Sequence, residues 1–323
     1  MSTSHSHPHL RVRSLPASFL ALAVALTAMG RATELDTAKI DQITGIKGAM
    51  NQQEGVYKVS VPRKDVPVTV DGWKMPPFMG LTSWAAFEPG QKQEAMVMGD
   101  IVLFQDEVNT VMSAALERGL EVTALHNHFL FDEPKVYFMH IGGDGETAVL
   151  AGGVKAIFDT IKRYRSEHPQ LTRQFGTQAL PETSSISAEP LAAVFGAKGQ
   201  SQDGMVKFVF GREVTMECGC TAGKEMGVNT WAAFAGTDDN ALVDGDFVVT
   251  ADELQPALKS LRASGINIVA IHSHMTEDTP HMLFFHYWGR GKAADLAASV
   301  KKALPAASAA QAGSRSPGVA DQH

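Results

Sequence analysis

Two short stretches of this 323-residue chain carry histidine in one repeated arrangement. Ala124-Leu125-His126-Asn127-His128 is followed, after eleven residues, by His140, and Ala270-Ile271-His272-Ser273-His274 is followed, after the same gap, by His286. Residues i and i+2 of a β-strand share a face about 7 Å apart. A turn over residues 130–135 sends the chain back, and a hairpin centred near Asp132-Glu133 returns His140 opposite His126 or His128, at about 5 Å. Three imidazoles then converge as a tripod of metal ligands with one or more open positions. The same construction serves His272, His274 and His286. Of twelve histidines, three (His5, His7, His9) precede an apolar leader; seven of the other nine lie in these two regions, His281 being the seventh. A lone histidine is usually a core residue, but three at strand spacing, twice over, point to ligation or catalysis.

An all-imidazole set suits Zn, Fe, Cu or Ni better than Mg or Ca, and a divalent metal, zinc first, is the expected cofactor. Such a centre ionises a bound water or polarises a carbonyl. One expected function is therefore a metal-dependent lyase or hydrolase acting on a small organic molecule. Among nearby carboxylates (Asp132, Glu133, Glu277, Asp278), Glu133 is the candidate general base. Arg63 and Arg212 are candidates to hold an anionic substrate bidentately. The alternatives are a non-catalytic metal- or ligand-binding envelope protein, and histidines that only stabilise their hairpins.

The histidines sit within a larger duplication. In the nine-residue stretches starting at Met79 and Met226, six positions are identical, including Trp84-Ala85-Ala86-Phe87 and Trp231-Ala232-Ala233-Phe234. Gly99-Asp100 matches Gly245-Asp246, Gly119 matches Gly265, Pro134 matches Pro280, and Arg63 matches Arg212. Repeats over 40–165 and 190–304 are expected, with a Pro- and Ser-rich linker at 166–189 and a disordered tail at 305–323. Within the first repeat, alternation at 56–61 and 66–70 predicts a hairpin, with strands at 83–87, 94–98 and 101–104. Val108, Val111, Met112, Ala115 and Leu116 then follow helical spacing up to Gly119. In the second repeat Thr250 and Glu253 form a capping box and Gly265 closes the helix. Strands at 122–128 and 136–141, and a helix at 148–164, complete the unit. The expected class is α+β, each copy a mostly antiparallel β-sheet with about two helices. Trp84, Trp231, Phe87 and Phe234 are expected in the core.

Composition sets the setting. Arg11 and Arg13, an apolar run over 15–28, and Gly30-Arg31-Ala32 read as a signal peptide over 1–32, cleaved near Ala32, and imply a periplasmic or secreted protein. No other stretch is apolar enough to span a bilayer, so stable membrane insertion of the mature chain is not expected. Cleavage takes the formal charge from −7 to −10 through loss of Arg11, Arg13 and Arg31, which disfavours nucleic acid as a partner. Cys218-Gly219-Cys220 can close a local disulfide, bind a soft metal, or do neither.

The series Trp-Ala-Ala-Phe, Gly-Asp, Ala-Leu-His-Asn-His-Phe-Leu and Pro-x-Val-x-Phe-Met-His resembles the LppY/LpqO family, exported bacterial proteins with a domain of unassigned function. Mycobacterial members are lipoproteins; this chain lacks the lipobox cysteine, so that property does not carry over. More narrowly, His-x-His with a third histidine eleven residues on resembles the zinc site of acetolactate decarboxylase. That resemblance implies zinc ligation by His126, His128 and His140 and by the second set. A cupin would place Glu three or four residues after His-x-His, where the first repeat has Asp132 four after His128, and Pro-x-Gly before the last histidine, which is missing before His140.

Overall fold

The structure is a computed structural model that describes residues 1, 34–176 and 179–306. The expected signal peptide, apart from Met1, and the expected tail beyond Ala306 lie outside the described residues.

The first repeat runs α1 (Thr37–Thr44), β1 (Ala49–Asn51), β2 (Val56–Pro62), β3 (Thr69–Val70), β4 (Trp73–Lys74), β5 (Thr82–Pro89), β6 (Ala95–Phe104), α2 (Val108–Glu117), β7 (Glu121–His126), β8 (Asp132–Glu133), β9 (Val136–Gly145) and α3 (Thr147–Glu167). The second repeats this order: α4 (Ala188–Phe195), β10 (Gln200–Gln202), β11 (Met205–Gly211), β12 (Val214–Met216), β13 (Thr221–Ala222), β14 (Asn229–Gly236), β15 (Ala241–Val249), α5 (Ala251–Ala263), β16 (Asn267–His272), β17 (Asp278–Thr279), β18 (Leu283–Gly291) and α6 (Ala293–Ala303). The class is α+β, as the periodicities predict. Each repeat has three helices among the described residues rather than two. The added helix is a short one at the start: Asp36 caps α1 by accepting from the Lys39 N–H, and Gly45 ends it at φ 72°.

Both repeats contribute to one twelve-stranded antiparallel sheet, in the order β1-β2-β5-β6-β9-β7-β16-β18-β15-β14-β11-β10. The order reads the same from either end, so a pseudo-twofold axis passes between β7 and β16. Alternation sorts the side chains. Ala95, Val97, Ile101 and Leu103 of β6, Met139 and Ile141 of β9, and Leu125 of β7 enter the main core with the helices. The intervening residues, including Val102, Phe104, Val136 and Phe138, lie on the opposite face in a smaller cluster.

Two strand expectations change. Residues 66–70 do not form a hairpin with 56–61: β2 pairs with β1 and β5, while β3 pairs with β4 and β8 in a separate three-stranded sheet. The stretches at 94–98 and 101–104 form one continuous strand, β6, along its whole length against β9.

The repeats are fastened by reciprocal side chains. Asn109 of α2 donates to the Ile268 carbonyl at 3.1 Å and accepts from the Ile268 N–H at 2.7 Å. Gln255 of α5 does the same to Val122, at 2.9 and 3.0 Å. Each backbone residue has a strand partner inside its own repeat, Ile268 with Tyr287 and Val122 with Ile141, beside a register shift, and the amide side chain meets its N–H and C=O from the other repeat. Asn109→Ala orphans two buried backbone groups and is expected to destabilise by about 2 kcal/mol in urea unfolding. Gln255→Ala should have a similar effect. No loss for either would refute the clamp.

Candidate metal centres

β7 ends at His126, so His128 lies in the following loop instead of on the strand. The register puts His140 opposite Ala124, with His126 opposite Phe138, because one residue is skipped between Val122 and Ala124. The rings nevertheless meet: centroids are 5.2 Å apart for His126–His128 and 5.1 Å for His126–His140. The second repeat matches, at 5.0 Å for His272–His274 and 4.9 Å for His272–His286. The loop histidines are fixed by stacking: His128 lies on Phe138 and His274 on Phe284, within 3.3 and 3.5 Å between centroids.

A carboxylate stands beside each cluster, and among the described residues it is the second repeat that brings carboxylate and imidazole ligand atoms close enough to share an ion. Asp100 is the cross-strand partner of His140, and Asp246 of His286. Ligand atoms of Asp246, His272 and His274 lie within 4.8 Å of one another. The two Nε2 atoms of His272 and His274 are 3.1 Å apart, close to the ~3.3 Å edge of a tetrahedron with zinc–nitrogen bonds. Asp246 Oδ2 is 3.6 Å from His274 Nε2. Oδ1 of Asp100 and Oδ1 of Asp246 are buried without a hydrogen-bond partner. An orphaned buried carboxylate oxygen beside three imidazoles, found in both repeats, fits a cation. The Gly-Asp pair has a packing cause: a Cβ on Gly99 would come within 2.8 Å of the Trp84 carbonyl, and on Gly245 within 2.3 Å of the Trp231 carbonyl.

The electrostatics favour ligation. Burial, the leading cause, pushes the Asp246 carboxyl up to about 6, opposed by His286. Burial also lowers His128, His272 and His274, and neighbouring imidazoles lower them further. Neutral imidazole is the form that binds a metal. His286 Nδ1 faces the Gly245 carbonyl at 3.3 Å; donation along that line leaves Nε2 free to ligate.

The other candidates lie elsewhere. Arg63 is buried and held by Glu107, Asp65 and the Val102 carbonyl; Arg212 pairs with Glu253 and the Val248 carbonyl. Glu133 projects outward on β8, with Arg173 at 3.8 Å. Asp132 of β8 and Asp278 of β17 are buried, accepting from the Val136 and Met282 N–H groups, and each pairs with the residue three positions on, Lys135 or His281. Cys218 and Cys220 form a disulfide. Phe87 and Phe234 are core residues. Trp84 and Trp231 are not: they are half-buried cross-strand partners of Asp100 and Asp246, each under a lysine, Lys58 at 4.0 Å and Lys207 at 4.2 Å. The centres differ at their rims, since exposed Leu130 and Phe131 in the first occupy the repeat positions of Thr276 and Glu277 in the second.

Fold and site together define a duplicated α+β protein with one histidine–aspartate cluster in each half of a shared sheet. The chain belongs to the family described as Domain of Unknown Function (DUF1259), which matches residues 38–160 and 189–306, once per repeat. No curated protein matches it. Among solved structures, the crystal structure of a trimeric bacterial microcompartment shell protein PduB overlaps 79% of this chain and 88% of that chain, at 11% identity and a TM-score of 0.21. A score that low carries no argument. No helix among the described residues is long and apolar enough to cross a membrane.

Proposed function

We propose that this is a metal-binding protein with one centre per repeat: Asp100, His126, His128 and His140 in the first, and Asp246, His272, His274 and His286 in the second. The observation that carries this reading is the orphaned carboxylate oxygen beside the imidazoles in both halves. Zinc is the metal proposed, with Fe, Cu and Ni the alternatives the donor set also suits. The LppY/LpqO resemblance and the leader at 1–32 support a periplasmic or secreted setting.

A bound divalent ion would supply Lewis acidity toward a carbonyl or a water. The chain's own residues do the positioning. Phe138 and Phe284 hold the loop histidines against the sheet, and burial, which lowers His128, His272 and His274, favours the neutral, ligating form of those three imidazoles. The clusters stay open to solvent: His126, His140, His272 and His286 are half-buried, and His128 and His274 are exposed. That openness favours action on a small molecule, by lyase or hydrolase chemistry, over a sealed structural site.

Elemental analysis of the exported, mature chain tests the metal reading. About two metal ions per chain are expected, falling to about one in His272→Ala and to almost none when His126→Ala is added. Less than about 0.2 per chain in the wild type, with no loss of thermal stability in chelator, would refute it.

A further inference from the structure

The two centres are neighbours on one face. β7 and β16 pair antiparallel with Leu125 opposite Ile271. That register sets Ala124 beside His272 and His126 beside Ala270. Combined with the pairings inside each repeat, two rows cross the seam. One reads Asp100, His140, Ala124, His272; the other reads Asp246, His286, Ala270, His126. In each row the histidines of different repeats stand two strand spacings apart, about 10 Å, with one alanine between them. Among the described residues, the side chains that these two rows place between the centres are therefore two methyl groups, both half-buried. The linker adds a wall on one side, where Phe175 and Leu180 stand with His286 around an open depression.

We propose that the two centres act as one site for an elongated molecule carrying a metal-ligating carboxylate at each end, about 10 Å apart. This rests on the metal reading above. The charge balance supports it: three neutral imidazoles and one carboxylate leave a divalent ion with one net positive charge at each centre. The metal-free face, with Asp100 and Asp246, repels a dianion. A molecule held at both ends gains from the second contact being intramolecular. A single-ended one does not.

The test is calorimetric titration of the zinc-loaded mature chain with suberate, whose six methylenes let its carboxylates reach both centres. Octanoate is the single-ended control and succinate the short one. Suberate is expected to bind one per chain, at least about tenfold more tightly than octanoate, which should bind two per chain. Succinate should behave like octanoate. In His140→Ala or His286→Ala, each retaining one zinc, the suberate advantage should vanish, and the metal-free chain should bind none of the three. Suberate binding two per chain with the affinity of octanoate, while zinc remains at two per chain, overturns the proposal and leaves the metal reading intact. A chain that takes up no zinc overturns both.

Discussion

Replacing Asp246 by asparagine is expected to stabilise the metal-free protein at neutral pH and to weaken its hold on metal. Burial raises this carboxyl from 3.8 to about 6. Between those values the unfolded chain has released a proton that the folded chain keeps. Stability therefore falls as pH rises through this window, and the whole deficit is present above it. A shift of that size corresponds to about 3 kcal/mol, part of which a buried asparagine amide left without a partner would give back. Asp246→Asn removes the charge and with it the penalty. In chelator, its unfolding free energy should exceed that of the wild type by about 1–2 kcal/mol at pH 7.5, and the gap should close near pH 4. In metal the order reverses, because loss of a ligand should lower affinity by at least about tenfold to a hundredfold. Urea unfolding across pH, paired with competition against a chromophoric chelator, reads both signs. A metal-free variant less stable than wild type at pH 7.5, or one with undiminished affinity, would take Asp246 out of the centre.

Glu107→Ala should give the largest loss of stability of any change considered. The carboxylate is fully buried, with Arg63 at 2.9 and 3.0 Å, Arg165 at 3.0 Å and the Phe104 N–H at 2.9 Å. Removing it leaves two guanidinium groups short of a partner and one backbone N–H unmet. Breaking a buried pair from one side typically costs about 3–5 kcal/mol. The equivalent Glu253→Ala should cost less, since that carboxylate is a quarter exposed. Metal content at both centres should not change in either variant. That separates the arginine network, which braces the start of α2 and α5, from the histidine chemistry. A Glu107→Ala protein with an unchanged urea midpoint would refute the assignment.

Much of this was legible in the sequence, and what was missed has identifiable causes. Strand parity and the duplicated gap bring out the histidines, although the mechanism differs in detail. His128 leaves the strand and is held by Phe138, a contact that spacing does not encode. Asp100 and Asp246 were visible as repeat landmarks in Gly-Asp. Their place beside His140 and His286 depends on the pairing of β6 with β9 and of β15 with β18, and local periodicity does not specify which distant strands pair. The proposed hairpin at 56–70 failed for the same reason, since β2 prefers the long partner β5 to the two-residue β3. Trp84 reads as core by residue type and lies on the site face by parity: its neighbours Ala85 and Phe87 are the buried ones. The capping signals of α1, Asp36 and Gly45, were present but stand ahead of every repeat landmark.

The exchanged amides of Asn109 and Gln255 also bear on the symmetry of the chain. A single repeat would present β7 as an open edge, with its histidines at the border and the Val122 backbone groups unmet. Two identical copies meeting along that edge would satisfy each other by the same exchange. The seam therefore has the form of a symmetric homodimer interface held within one chain, with two halves that differ at their rims.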